Sequence, residues 1–422
     1  MHPTHMPRPA VRPVSIFVCS LLCVAGLMPR AIAGDLFNIN TVTTDGGPPM
    51  NLTAGSSSVL NLIQSAINAD GSFASFANRG YSASLQYAGV ANAINFTVNN
   101  AGTSATLQIP STGFSKTFTG TSRSDLNSQI TAFLKSDGES EYAKFLKAMN
   151  EQSTVAVSDG NPNSSTAMMA SQAFDDYAFG PVESRDERAA SEAQDVHACI
   201  GAVADIGTFS SQGINGTSYS LPISMGFKFS DRVGIGVSVP LNYTEVEGAK
   251  IFSAGLTLAL PVKIILPGDD QPWSWQLTPS GGAIASASED MLAGGAIGQG
   301  GLSSMLTYDF GKFSLTMGNY FGWFEGIPVT LGGDTFNPDI SQQIVKNGLK
   351  VSVPIKQHWV VEVYGIHTKF IESAAVDQYV TVGAEVGWRS SSTRSYWSIG
   401  FYSDIADNYT STRAKIGTSW KF

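Results

Sequence analysis

From about residue 200 onward, apolar and polar positions alternate with period two in segments separated by turn residues, and twelve such segments can be counted. In "SYSLPISMGFKF", Tyr219, Leu221, Ile223, Met225, Phe227 and Phe229 share a face opposite Ser220, Ser224, Gly226 and Lys228. In "VGIGVSVPLNY", Val233, Ile235, Val237, Val239, Leu241 and Tyr243 oppose Gly234, Gly236, Ser238 and Asn242. "IFSAGLTLALPVKII" sets Phe252, Leu256, Leu258, Leu260, Val262 and Ile264 against Ser253, Gly255, Thr257 and Lys263. "QYVTVGAEVGW" sets Val380, Val382, Ala384, Val386 and Trp388 against Thr381, Gly383, Glu385 and Gly387. Small Gly, Ser and Thr with a few charges suit a crowded wet lumen, and the apolar face then meets lipid. Lys350, Glu385, Arg413 and Lys415 are the candidates for lining that lumen. At twelve strands it is expected to be partly obstructed, with a mild anion preference.

A bilayer demands aromatic side chains at two heights. Trp388 closes one segment and Trp397 opens the next, Phe310 and Phe313 flank a turn, Trp359 opens a segment, and Trp420 closes the last. These six form one expected girdle. Tyr243 with Phe252, Tyr320 with Trp323, and Phe370 with Tyr379 are expected at the other height. Turns on the first side are short ("SDR", "FGK", "IKQH", "RSSSTR"), whereas the other side includes "GIPVTLGGDTFNPDIS". Bacterial barrels keep short turns in the periplasm, so an even strand number puts both ends of the sheet there. Closure also removes the open edges that would make so long an apolar sheet aggregate.

Residues 34 to 180 follow another rhythm. "NAINFTVNN", "SATLQIP" and "FSKTFTG" read as short strands. "SDLNSQITAFLK" then spaces Leu126, Ile130, Phe133 and Leu134 for a helix, with Ser124 or Asp125 to cap it. "EYAKFLKAMN" and the run around Val59 to Ile67 predict two more helices, "VSDGNPNSST" a loop, and "AMMASQAFDDYAF" a further helix. Together they describe a small α+β domain, expected in the periplasm. Residues 181 to 199 include "ESRDERAASEAQD", which has strong helix formers without an apolar stripe and reads as a solvated linker or a polar helix plugging the lumen. The barrel takes 200 to 422.

Arg8 and Arg12, the apolar run "VSIFVCSLLCVAGLM" and "AIA" form the three parts of a secretory signal over residues 1 to 33. Removing it leaves 22 basic against 34 acidic residues, a balance that argues against nucleic-acid binding. Cys199 is then the single cysteine, so no internal disulfide is expected. Only 14% of residues are charged, against roughly 25% in ordinary soluble domains, so something other than charged surface meets the solvent.

The same counts speak against an enzyme. His358 and His367 are nine apart, on opposite faces of one strand. His197 and Cys199 share a face but sit at a boundary. There is no glycine-rich phosphate loop and no metal framework, so no catalytic residue, cofactor or metal is expected.

The final strand, "KIGTSWKF", carries Lys415, Gly417, Trp420 and Phe422 in a pattern that resembles the closing-strand signal of Gram-negative outer-membrane β-barrels. That resemblance implies an antiparallel transmembrane barrel of about 12 strands behind the α+β domain, with outer-membrane lipids around it and the barrel-assembly machinery reading its C-terminal strand. The first expectation for function is a channel for small solutes, with a periplasmic domain that gates it or binds a periplasmic protein. The order of signal, N-terminal region, polar helix and terminal barrel also looks like that of autotransporters, which display their own N-terminal region. A structural envelope anchor is the third expectation.

Overall fold

Alternation, helix capping and strand-breaking prolines account for the elements observed. The computed structural model describes residues 35–133, 139–176, 198–266, 271–331, 334–336, 339–356, 358–390 and 395–421. The expected signal, the polar run 183–195, His197 and Phe422 lie outside them.

An antiparallel six-stranded sheet comes first, comprising β1 (Phe37–Thr43), β2 (Asn51–Ser56), β3 (Tyr81–Tyr87), β4 (Val90–Val98), β5 (Ser104–Ile109) and β6 (Phe114–Thr119), in the order β2-β1-β3-β4-β5-β6. One face is buried: Phe37, Ile39, Tyr81, Leu85, Phe96 and Leu107 join one apolar core with α1 (Val59–Asn68), α2 (Arg123–Ala132) and α3 (Glu139–Gln152). Ser58 caps α1 by accepting from Asn61 N. The cap of α2 is Ser122, two residues before Ser124 and three before Asp125, and Asp125 instead sits in the first turn, where a carboxylate favours the helix N-terminus. The opposite face of the sheet is polar, and its side chains stand in register across all six strands. One row is Thr53, Asn40, Ser84, Asn95, Gln108 and Ser115; the next is Asn51, Val42, Ser82, Thr97, Thr106 and Thr117.

The second sheet is a closed antiparallel barrel of 12 strands. Its strands are β7 (Ala198–Ser211), β8 (Ile214–Ser220 continued by Ile223–Lys228), β9 (Gly234–Val239 with Leu241–Val246) and β10 (Ala249–Ala259 with Val262–Ile265). There follow β11 (Trp273–Ser288), β12 (Ala293–Asp309), β13 (Ser314–Ile327), β14 (Ser341–Lys356), β15 (Trp359–Phe370), β16 (Gln378–Ser390), β17 (Ser395–Ala406) and β18 (Tyr409–Lys421). The interruptions in β8, β9 and β10 fall at Pro222, Pro240 and Pro261, which have no N–H for the ladder. β18 closes the barrel against β7, from Thr410 opposite Ser210 to Lys421 opposite Cys199.

The apolar faces read from the alternation point outward. Met225, Leu258, Met317, Leu349, Val382 and Ile399 are all exposed large hydrophobic residues, far more than a water-facing surface carries. Such a belt is that of a membrane-spanning barrel. At the end where β7 starts and β18 finishes, Trp359, Trp388 and Trp397 stand directly opposite one another on β15, β16 and β17. Trp420 packs on Trp397 at 5.9 Å between ring centroids, and Phe310 stacks on Phe313 at 4.5 Å.

The second girdle needs correcting. Tyr243 lies against Phe252 at 5.0 Å, and Trp323 faces out. Tyr320, Phe370 and Tyr379 are buried inside the barrel. Tyr320 is an odd number of residues from Trp323, so strand alternation turns it to the other face.

The α+β domain packs on the barrel end opposite the one where β7 starts, and both belong to one compact unit. Val59 N donates to Asp290 O (2.9 Å) and Tyr87 OH to Met291 O (2.6 Å), both on the β11–β12 turn. Phe209, Val246, Ile251, Met291, Val376 and Tyr409 at the barrel mouth continue the core of the domain. The expected span 34–180 therefore divides: the described residues up to Gln152 form the α+β fold, and the chain from Ser153 leaves the core of the domain through the barrel mouth and enters the barrel interior.

Candidate functional site

The run "VSDGNPNSST" is the loop expected, and it is buried, seated in the barrel mouth. Its polar atoms are satisfied internally: Asn161 Nδ2 donates to Ala156 O (2.7 Å) and Ser164 Oγ to Asn161 O (2.6 Å). Gly160 adopts φ +84°, and a Cβ there would run into the Asn150 carbonyl, so only glycine fits. Its own carbonyl accepts from Val376 N at 2.9 Å. Ser164 then caps a short helix, α4 (Ser165–Ser171), which continues as a single π-helical turn, Gln172–Asp176.

This segment fills the domain end of the lumen. Ser165 Oγ meets Ser286 Oγ on β11, and Gln342 Nε2 of β14 donates to Asp159 Oδ2 (3.0 Å). One turn deeper, Lys346 Nζ donates to Ser171 Oγ (2.9 Å). Gln172 is held from the opposite wall, donating to Ser238 Oγ and accepting from Thr257 Oγ1 (3.1 Å). Met169, Ala170, Ala173 and Phe174 pack into an apolar collar of Ile284, Ile297, Tyr320, Phe324, Ile344, Ile366, Phe370 and Tyr379. The lumen is therefore greasy where the plug touches it, and polar elsewhere. Asp159 is a buried carboxylate whose described partners are neutral, so burial pushes its carboxyl above the usual range, opposed by hydrogen bonds from Thr166 and Gln342.

The lumen has two unlike walls. β8 to β12 offer Ser224, Ser238, Thr257, Thr278, Gly282 and Ser286, with charge confined to Lys228, Lys263 and Asp309 at the far rim among the described residues. The wall from β14 through β18 to β7 carries paired charges. All four lining candidates are here: Lys415 pairs with Glu385, Lys350 lies 3.7 Å from Glu362, and Arg413 lies 3.7 Å from Asp205 and 3.8 Å from Asp404. Lys350 is only 1% exposed. With Lys346, these described mid-lumen groups balance, basic against acidic, and do not support an anion preference.

Arg413 joins four stretches of chain. It stands on β18 directly opposite Gly207 of β7, and a Cβ on that residue would collide with the arginine side chain. Glycine thus lets the guanidinium lie across the closing seam toward Asp205 on β7 and Asp404 on β17. Arg413 Nη2 also donates to Asn163 Oδ1 of the plug, while Asn163 Nδ2 donates to Tyr409 OH (2.6 Å). Asp404 accepts from Thr381 and Ser411, each at 2.7 Å. A charge cluster this enclosed persists only because every member is paired or hydrogen-bonded.

Of the remaining candidates, Gly417 and Trp420 lie in β18, in register with Val203 and Ile200 of β7. His367 faces outward and contacts Gln378 (3.3 Å). Cys199 is exposed at the start of β7. The plug contacts were missed in the sequence because a Ser- and Asn-rich run reads as a surface loop. The available signal was its position between a helix and an amphipathic turn in a chain whose interior is itself polar.

No family model matches this chain, and no curated relative matches it. Among solved structures, the chain is similar to the translocator domain of the autotransporter NalP from Neisseria meningitidis, at 11% identity over 56% of this chain and 94% of that one, with a TM-score of 0.41. It is similar to the beta domain of the Bordetella autotransporter BrkA at 11% identity over 54% and 100%, with a TM-score of 0.40. It is also similar to an outer membrane channel from Pseudomonas putida F1 at 14% identity over 57% and 100%, with a TM-score of 0.44.

Proposed function

We propose that this chain is an integral outer-membrane protein whose barrel holds its own N-terminal domain on the outer face of the cell, tethered through the lumen by residues 153–176. The observation that carries this reading is the end at which the domain sits. It covers the turns at Gln212, Glu247, Met291 and Val376, while β7 begins and β18 finishes at the opposite end. In bacterial barrels the paired ends of the sheet and the short turns face the periplasm. The domain end is then the external end, and the autotransporter-like reading is preferred to a periplasmic gate.

A conduit for small solutes is the second reading, favoured by the ion-paired wall beyond the plug. It requires the plug to leave, because the collar around Phe174 closes the domain end of the lumen. The two readings separate on intact cells. With Cys199→Ser as background, Ser111→Cys in the exposed part of the domain is expected to react with a membrane-impermeant maleimide before the outer membrane is breached. Reaction only after permeabilisation puts the domain in the periplasm and overturns the display reading. Planar-bilayer recordings of the intact protein are expected to show long closed periods.

A further inference from the structure

We infer that the outward face of the N-terminal sheet is a docking surface for an uncharged polysaccharide. The inference deepens the display reading and rests on it for access from outside the cell.

The face is one continuous array. Thr53, Asn40, Ser84, Asn95, Gln108 and Ser115 stand side by side on six neighbouring strands, each a neutral hydroxyl or amide. Strands repeat about every 4.8 Å, so the row offers a donor or acceptor at each step of an extended chain laid across it. The neighbouring row is built the same way, Val42 being its one apolar side chain. Among the described outward positions of the six strands, none carries a charged side chain, although the Asp35 carboxylate, just before β1, lies over Gly55 of β2 at one edge of the face. A protein surface of this extent ordinarily carries roughly four or five, since about 25–35% of surface positions are charged. The domain carries its charges elsewhere: Asp45 on the β1–β2 hairpin with Arg79 just before β3, Lys144 with Glu141 on α3, and Lys116 over the rings of Phe118 and Phe133 on the helix side.

The face also lies away from the barrel. The opposite side of the sheet holds the core that runs into the barrel mouth, with Tyr87 bonded to Met291 O, so the polar side points away from the barrel.

Three partner chemistries separate on this surface. A polyanion finds no cation at the outward strand positions, and a polycation finds there only the Asp35 carboxylate at one edge, so either loses hydration in docking. An apolar partner strips water from an array of amides and hydroxyls and returns nothing, at about 1–3 kcal/mol for each group left unsatisfied. A neutral polyol supplies donors and acceptors in equal measure and replaces the displaced water bond for bond. The face therefore fits the last of these.

The test uses the full chain in detergent or nanodiscs, against neutral polymers (glucan, mannan, galactan) and charged ones (polygalacturonate, heparin). At least one neutral polymer is expected to bind, with affinity unchanged between about 50 and about 500 mM salt, because no counter-ion is released. Ser84→Lys with Asn95→Lys is expected to weaken that binding at least about tenfold. Gln152→Lys, exposed at the end of α3 and off the face, leaves it intact, and circular dichroism is unchanged in both. Absence of binding to every neutral polymer overturns the inference. So does preference for a charged polymer that fades with salt, and so does binding that survives Ser84→Lys with Asn95→Lys. All of these are read on purified protein, so failure here leaves the maleimide result on intact cells standing, and the reverse.

Discussion

In β3 of the N-terminal sheet, Tyr81, Ala83, Leu85 and Tyr87 point into a sealed core while Ser82, Ser84 and Gln86 meet water; in β10 of the barrel, Phe252, Leu256 and Leu258 point out and Ser253 and Thr257 point in. The two regions share one pattern and one strand geometry. What differs is the solvent on the outside, water for one and hydrocarbon for the other. The boundary between them is where both rules bend. At the barrel mouth, Phe209, Ile251, Met291 and Tyr409 are apolar and inward, because the domain seals that opening and turns it into a protein interior.

The largest expected effect comes from the joint that all parts share. Arg413→Ala leaves Asp205 and Asp404 enclosed without their cation, which costs about 3–5 kcal/mol and also frees Asn163 of the plug. The temperature at which the folded band is lost in semi-native gels is expected to fall accordingly, and an unchanged temperature would dissolve the idea of a shared seam.

The inversion itself is sharpened by two substitutions of the same kind. Leu258→Arg, on the outward face of β10, is expected to destabilise the barrel by about 2–4 kcal/mol in lipid. Ser84→Lys, equally outward on β3, is expected to stay within about 0.5 kcal/mol. Equal penalties in lipid-reconstituted unfolding would erase the contrast between the regions.

A smaller effect tests the contact between them. Tyr87→Phe removes a donor to Met291 O and leaves a buried carbonyl unsatisfied, worth about 1–3 kcal/mol. Hydrogen exchange in the β11–β12 turn and the first turn of α1 is expected to quicken, with β14 to β17 unchanged.

The smallest concerns the domain's water-facing side. Arg79 holds the Asp45 carboxyl down to about 2, chiefly by a direct hydrogen bond. A lowered carboxylate stabilises above its ordinary range, and that contribution is lost as pH falls toward about 2. Arg79→Gln is expected to return the Asp45 titration toward the ordinary carboxylate value, read by NMR, without moving the barrel's thermal transition.

Much of the barrel was legible in the residues because a lipid-facing strand must alternate cleanly, as Leu256 and Leu258 do against Ser253 and Thr257, and because the polar side holds small residues. The turn parity that sets Trp359, Trp388 and Trp397 in one row was legible for the same reason. Tyr320, Phe370 and Tyr379 were not, since apolar residues were read as lipid-facing and a greasy collar inside a lumen breaks that rule. The plug was hidden more deeply. Asn161, Asn163 and Ser164 carry the composition of a solvated loop, and only their neighbours in space, Arg413 and Tyr409 some 250 positions away, make them interior. The strands β1, β2 and β3 have short apolar faces of two to four residues, too brief to stand out from period alone.

The central claim is that residues 153–176 occupy the lumen of the folded barrel. Ser165 and Ser286 bring their hydroxyls into contact there, so Ser165→Cys with Ser286→Cys, in the Cys199→Ser background, places two thiols within bonding reach. On mild oxidation of outer-membrane preparations, the account predicts a disulfide joining the two peptides, recovered by mass spectrometry after digestion and abolished by reductant. Recovery of both peptides separately, each thiol open to maleimide in the folded protein, would contradict it.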